Sequence, residues 1–265
     1  MPKYVFIVPY RNREMHKHFF DKYMSYVLED VTDYEIIFAN QNNQLPFNRG
    51  GMKNCGFLYI KQKYPESYKD IIFIFNDIDT VPYKKNLLNY DVQKNEIKHY
   101  FGFEFCLGGI FAIRGEDFER INGFPSFWSW GWEDTVIYER ALSKRMKVNR
   151  EQFYNIGDSH ILHFVDDLTK RVSMKNKESY MKRTVYDGLT DLQNINFSFN
   201  SETNMLDVNH MECSYSPYDN SEVNLVVKLD KKKTVNKSNS MFLNTGPHTQ
   251  QNNLKTFMLG RIVYR

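Results

Sequence analysis

Residues 3–8 and 34–39 are short runs dominated by β-branched and aromatic side chains, and the more polar stretch between them, 14–29, carries apolar residues at helical spacing. The pattern predicts a β-α-β unit. Residues 50–64 predict a second helix. Residues 70–75 are almost continuously apolar, as expected of a central parallel strand covered on both faces, and the run stops at Asn76-Asp77-Ile78-Asp79. Beyond Pro82 the pattern weakens. Residues 108–113 then predict a strand, 116–121 a short helix, and Asn122-Gly123-Phe124-Pro125 a turn. From Glu133 a helix is predicted, with Ile137, Tyr138, Ala141 and Leu142 on one face and Lys144, Arg145 and Lys147 towards its end, where cations suit the helix dipole. After about residue 170 the chain is rich in Lys, Asn and Ser, with strand candidates at 196–199 and 223–229 and a tail opening with Lys231-Lys232-Lys233. Strands alternating with helices predict an α/β fold.

Composition narrows the function classes. At 265 residues, with 42% hydrophobic and 25% charged side chains, the chain is long and apolar enough for a folded core and is not disordered as a whole. A formal net charge of +3 is too small to imply a nucleic-acid partner, although small phosphate-bearing ligands remain compatible. Apolar runs stay far below the roughly 18 residues needed to span a bilayer, and the first strand starts without a signal-peptide pattern. The expectation is a cytoplasmic protein with no membrane span. Three widely spaced cysteines, Cys55, Cys106 and Cys213, argue against a disulfide framework and suit a reducing compartment.

Four constellations carry candidate chemistry. Asp77 and Asp79 follow the buried strand, where two carboxylates could share Mg²⁺ or Mn²⁺, although a solvated turn would read the same. His160 and His163, three residues apart, could meet on one side of a turn and complete a metal site begun by Asp79, or be ordinary hydrogen-bonded histidines. Residues 124–134 hold all three tryptophans, Trp128, Trp130 and Trp132, followed by Glu133 and Asp134. Such rings stack on sugar faces and such carboxylates accept from hydroxyls or act as a base; an aromatic core cluster with helix-capping acids is the plainer account. Pro9-Tyr10-Arg11-Asn12-Arg13 and Phe47-Asn48-Arg49-Gly50 place guanidinium groups where a phosphate could be gripped, or simply solvated.

The joint order of these segments along the chain, with Gly108-Gly109 between Asp79 and the tryptophan segment, resembles the β-1,4-galactosyltransferase family, glycosyltransferase family 7, over roughly residues 3–192. The resemblance implies a glycosyltransferase-A type (Rossmann-like) α/β fold, a mixed sheet flanked by helices, with a catalytic domain over 1–195 and a small β-containing C-terminal extension over 196–265 packed on it. It implies a UDP-sugar donor, Mn²⁺ or another divalent cation, and inversion at the anomeric carbon. Nucleotide contacts carry onto Pro9, Tyr10, Arg11, Arg13, Phe47 and Arg49, donor contacts onto Asp77 and Ile78, and metal ligation onto Asp79, His160 and His163. Trp130 takes the place of the tryptophan on a mobile loop, Asp134 that of the catalytic base and Glu133 that of its acidic neighbour. Departures stand at Thr135 and Val136, where the family's acidic run continues, at Trp132, and at Cys106, which replaces a donor-selecting tyrosine.

The expected activity is therefore transfer of a hexose or N-acetylhexosamine from a UDP-sugar to a hydroxyl of a glycan or glycoconjugate acceptor. The alternative is a non-catalytic carbohydrate-binding protein on the same fold. A metal-dependent hydrolase of sugar nucleotides is a third reading, since water can replace an absent acceptor.

Overall fold

The computed structural model describes residues 1–165, 169–218, 222–229, 257–259 and 262–264. The β-α-β unit is present as β1 (Tyr4–Tyr10), α1 (Glu14–Val27) and β2 (Tyr34–Gln41), followed by α2 (Arg49–Lys63) and β3 (Ile72–Asn76). Four strands then follow that the apolar pattern leaves largely unmarked or only begins to suggest, β4 (Thr80–Pro82), β5 (Glu96–Gly102) and, after β6 (Ile110–Arg114), α3 (Gly115–Arg120) and α4 (Glu133–Ser143), β7 (Lys147–Asn149) and β8 (Tyr154–Asn155). The remainder comprises β9 (Ile161–His163), β10 (Thr169–Ser173), α5 (Met174–Met181), β11 (Gln193–Asn200), β12 (Met205–Glu212), β13 (Glu222–Leu229), β14 (Phe257–Leu259) and β15 (Ile262–Tyr264).

The main sheet runs β11-β12-β2-β1-β3-β6-β5-β7, with β8 also on β5. β1 pairs in parallel with β2 and β3, whereas β6 is antiparallel to both β3 and β5, so the sheet is mixed. β3 is central, as its apolar run predicts, but parallel on one side only. Strand alternation sorts its residues between two cores. Phe73 and Phe75 join Val5, Ile7, Phe57, Phe111, Phe118 and Ile137 on the face covered by α2, α3 and α4, while Ile72 and Ile74 join Phe6, Val8, Phe20, Met24 and Ala112 on the α1 face.

The expected boundary between residues 195 and 196 falls inside β11, and β12 pairs in parallel with β2 from Met205↔Phe38 to Val208↔Gln41. The second strand candidate, 223–229, lies in β13, which pairs with β10. Most of the lysine-led tail falls outside the described residues.

Candidate active site

A cavity of about 590 Å³ opens at the carboxyl ends of β1 and β3. α2 supplies its central cation. Asn48 caps that helix, its Oδ1 accepting from Gly51 N at 2.7 Å while its Nδ2 donates to Ser126 O at 2.8 Å. The helix start is thereby bound to the 124–126 segment, and Gly50 is required there because a Cβ would lie 2.2 Å from Pro125 O.

Arg49, the first residue of α2, spreads its guanidinium over three carboxylates. Nη2 donates to Asp77 at 2.5 and 2.6 Å, and Nη1 to Glu133 Oε1 at 2.7 Å and Asp134 Oδ2 at 2.8 Å. One turn on, Lys53 Nζ lies 3.5 Å from Asp77 Oδ1 and 3.6 Å from Asp134 Oδ1. Burial disfavours the Asp77 charge, but Arg49 and Lys53 outweigh it and hold the carboxyl down at about 2. Burial, with Asp134 beside it, pushes Glu133 up despite Arg49. Gly108 backs this cluster, and a Cβ there would come within 2.7 Å of Asp134 Oδ2.

Asp79 behaves differently from Asp77. The Asn76 side chain ties the turn after β3 by donating to the carbonyls of Asp77 and Thr80, both at 2.8 Å. The Asp79 carboxyl is pushed up by burial and by Asp77, against the opposing pull of His163, Arg13 and Arg49. β4 and β9 pair with Thr80 opposite His163, and Phe164 N donates to Asp79 O at 2.8 Å, which sets His163 beside this turn.

Most of the residues expected at the site line one cavity: Pro9, Arg11 and Arg13 from the β1 end, Phe47 and Arg49, then Asp77, Ile78 and Asp79, with Cys106, Trp130, Asp134 and His163 closing it. Three do not. Alternation sends Tyr10 into the α1-side core with Phe6 and Val8. Glu133, at 3% exposure, lies behind Arg49 rather than on the wall. His160 is the third. Its ring stacks on Tyr154 at 4.9 Å and its Nδ1 lies 2.7 Å from Asp158 Oδ1, away from the cavity. The reason is local: His160 lies in the turn before β9, where Asp158 and Tyr154 hold its ring, whereas His163 lies within β9 opposite Thr80. Among the described residues no three His, Cys, Asp or Glu side chains converge to hold a metal. Arg49, expected at the nucleotide, directs its donors at carboxylates.

The Trp130 segment carries unusual backbone, with positive φ at Ser129 (78°), Gly131 (112°) and Trp132 (67°). Left-handed geometry is costly for a residue as bulky as tryptophan and concentrates at functional sites. Ser129 N donates to Phe47 O at 3.1 Å and Trp130 N to Arg171 O at 2.8 Å, so this segment joins the Phe47 loop to β10. Lys170 and Arg171 line the cavity. Cys106 is buried against the wall, with its thiol pushed up by burial and by Asp134. Sequence reading missed Lys53, although an Arg and a Lys four apart on a helix is a readable signal, and missed Phe101, whose ring meets that of His163 at 5.4 Å.

A strand-end cavity that sets carboxylates among cationic side chains in a mixed α/β sheet suits a glycosyltransferase-A fold, and comparison bears the fold out. The catalytic domain of Drosophila beta1,4galactosyltransferase 7 in complex with xylobiose superimposes with a TM-score of 0.66 over 82% of this chain and 96% of that one, at 21% identity. A mutant of the Drosophila enzyme in complex with manganese, UDP-Gal and xylobiose gives 0.65 at 20% identity, with the same coverage of both chains. A family model described as the N-terminal region of glycosyl transferase group 7 matches residues 1–91, and one described as the N-terminal domain of galactosyltransferase matches 89–164. Beta-1,4-galactosyltransferase 1 of Mus musculus is 33% identical over 203 residues, 72% of this chain and 50% of that protein. Xylosylprotein 4-beta-galactosyltransferase of Caenorhabditis elegans is 26% identical over 237 residues, 80% of each. The chain belongs to the β-1,4-galactosyltransferase family, glycosyltransferase family 7. It spans half or less of the mammalian relatives it matches, 50% of the mouse and 39% of the human protein. No helix among the described residues is long and apolar enough to cross a membrane.

Proposed function

We propose that the chain is a metal-dependent, inverting glycosyltransferase that moves a hexose or N-acetylhexosamine from a UDP-sugar to a hydroxyl of a glycan or glycoconjugate. The observation that carries this reading is Asp134. It stands on the cavity wall in the first turn of α4, oriented by Arg49 through Oδ2, on the same cavity as Asp79 and His163. A carboxylate so held can take the proton of an acceptor hydroxyl as that oxygen attacks the donor. Manganese and UDP-Gal are bound in the structure of the Drosophila relative, which supports the choice of donor and cation here.

Asp79 and His163 are the residues that would hold the cation. Their environment fits one: two carboxylates crowd the turn, Asp77 has its charge met by hydrogen-bonding cations, and the Asp79 carboxyl is pushed up by burial and by Asp77. Oxygen plus imidazole donors suit Mn²⁺. When bound, the ion supplies Lewis-acid charge for the departing diphosphate. Arg11 and Arg13, on the wall beside Asp79, are placed to grip phosphate oxygens, and Phe47 offers a ring to a base. Trp130 offers an indole to a sugar face.

The test is to incubate the purified chain with Mn²⁺, a panel of UDP-sugars and a panel of sugar acceptors, following UDP release and glycosylated product by mass spectrometry. Acceptor-dependent product is the expected result. UDP release that is indifferent to every acceptor would make it a hydrolase, and donor binding without turnover a carbohydrate-binding protein.

A further inference from the structure

We propose that Lys53 is a positioning residue for Asp134, fixing from inside the protein the carboxylate that faces the acceptor; the proposal rests on the reading of Asp134 as the base. Lys53 is 1% exposed one turn into α2, among the most completely buried large side chains of the described residues. Taking an ammonium out of water costs several kcal/mol unless its charge is met, so such a group is kept where it is paired. Its Nζ lies between Asp77 Oδ1 at 3.5 Å and Asp134 Oδ1 at 3.6 Å, over the Phe124 ring at 4.7 Å.

What gives this contact a role is the state of the two Asp134 oxygens. Oδ2 accepts from Arg49, whereas Oδ1 is buried and accepts no hydrogen bond. Lys53 is the cation that faces Oδ1. One hydrogen bond to Oδ2 would leave the carboxyl plane free to turn about that contact; a second positive charge on the opposite oxygen removes the freedom. The helix makes the pair, since Arg49 and Lys53 are four apart and so present their charges on one face. Three carboxylates, Asp77, Glu133 and Asp134, then meet two cations. Arg49 is divided among all three, while Lys53 reaches only Asp77 and Asp134.

The test is a double-mutant cycle on the full chain with Mn²⁺ and the donor and acceptor it uses. Lys53→Met keeps length and apolar packing and deletes the charge. It should lower kcat about tenfold or more while leaving the donor KM within about threefold, the mark of a base held out of line rather than a lost binding contact. In the Asp134→Asn background the same substitution should cost little further, because its effect runs through Asp134. Lys53→Gln, which keeps a polar donor, serves if the Met variant does not fold, and its loss should be the smaller. An unchanged kcat in the folded single variant, or a loss that multiplies in full with that of Asp134→Asn, overturns the proposal. If Asp134→Asn itself transfers sugar normally, the reading of Asp134 as base fails first, and the failure is then not that of Lys53.

Discussion

Asp77 and Asp79 stand one residue apart at the end of the same strand, yet the protein treats them in opposite ways. Asp77 is met by Arg49 and Lys53 and held down at about 2, whereas Asp79 is pushed up by burial and by Asp77 itself. The first belongs to a preorganised wall whose charges are matched from within. The second is raised by burial and by its neighbour, with His163, Arg13 and Arg49 opposing the shift. Identical side chains in one triplet therefore stand in different electrostatic surroundings, and the proposed function gives the second of them to the cation. The wall also fixes Asp134: its partners come from α2, which is bound to the 124–126 segment through Asn48.

The sharpest way to break this contrast is Asp79→Ala. It removes the carboxylate proposed for the cation, and since a placed Lewis acid contributes several kcal/mol, metal-dependent turnover should fall by more than about 10³-fold. Calorimetric Mn²⁺ titration should show the lost site, and normal metal affinity would refute the assignment. Next comes Asp134→Asn, which keeps the shape of the wall but not its basicity. Transfer should drop by about 10²–10⁴-fold with donor affinity retained.

A third carboxylate sharpens the contrast from outside the cavity. Asp187 accepts from Ser126 N at 2.5 Å beside Arg140, and burial pushes it up to about 6. Its folded value lies above the unfolded one near 3.9, so the folded state holds the extra proton between these values. Stability from this group is full below about pH 4 and is lost as pH rises through 6, by up to about 3 kcal/mol. Denaturant unfolding at pH 4 and pH 7 should show that decline, and Asp187→Asn should remove it. The smallest effect is expected at His160. Exposed and paired with Asp158, it should tolerate Ala with turnover within about twofold of the parent, whereas His163→Ala should weaken Mn²⁺ binding. Equal losses at both histidines would reinstate His160 as a ligand.

The elements legible in the sequence were those whose own residues carry the period. The apolar run of β3 and the aromatic spacing of α1 announce themselves. β5 does not. Its Glu96, Lys98, His99 sequence reads as polar, yet Glu96 and His99 are buried: Glu96 meets Lys147 and Asn149, and His99 Nε2 lies 3.0 Å from Gly108 O, with Arg150 Nε donating to Nδ1 at 3.2 Å. Lys147, Asn149 and Arg150 lie about fifty residues further along the chain, and no local window contains them. The same holds for Lys53, whose burial depends on carboxylates from β3 and α4.

Sequence alone determined the family, the mixed α/β fold and the set of segments from which the cavity is built, because motif order and strand periodicity are properties of the chain itself. Only the tertiary structure decided which member of each motif faces the cavity. Tyr10 turned into the core while Pro9 stayed at the wall, His160 turned away while His163 remained, and Arg49 closed on carboxylates instead of standing open. The physical reason is that facing is set by strand phase and by charge pairing across the fold. A one-residue change of phase reverses a side chain, and a cation goes to whichever carboxylates the packing brings within reach.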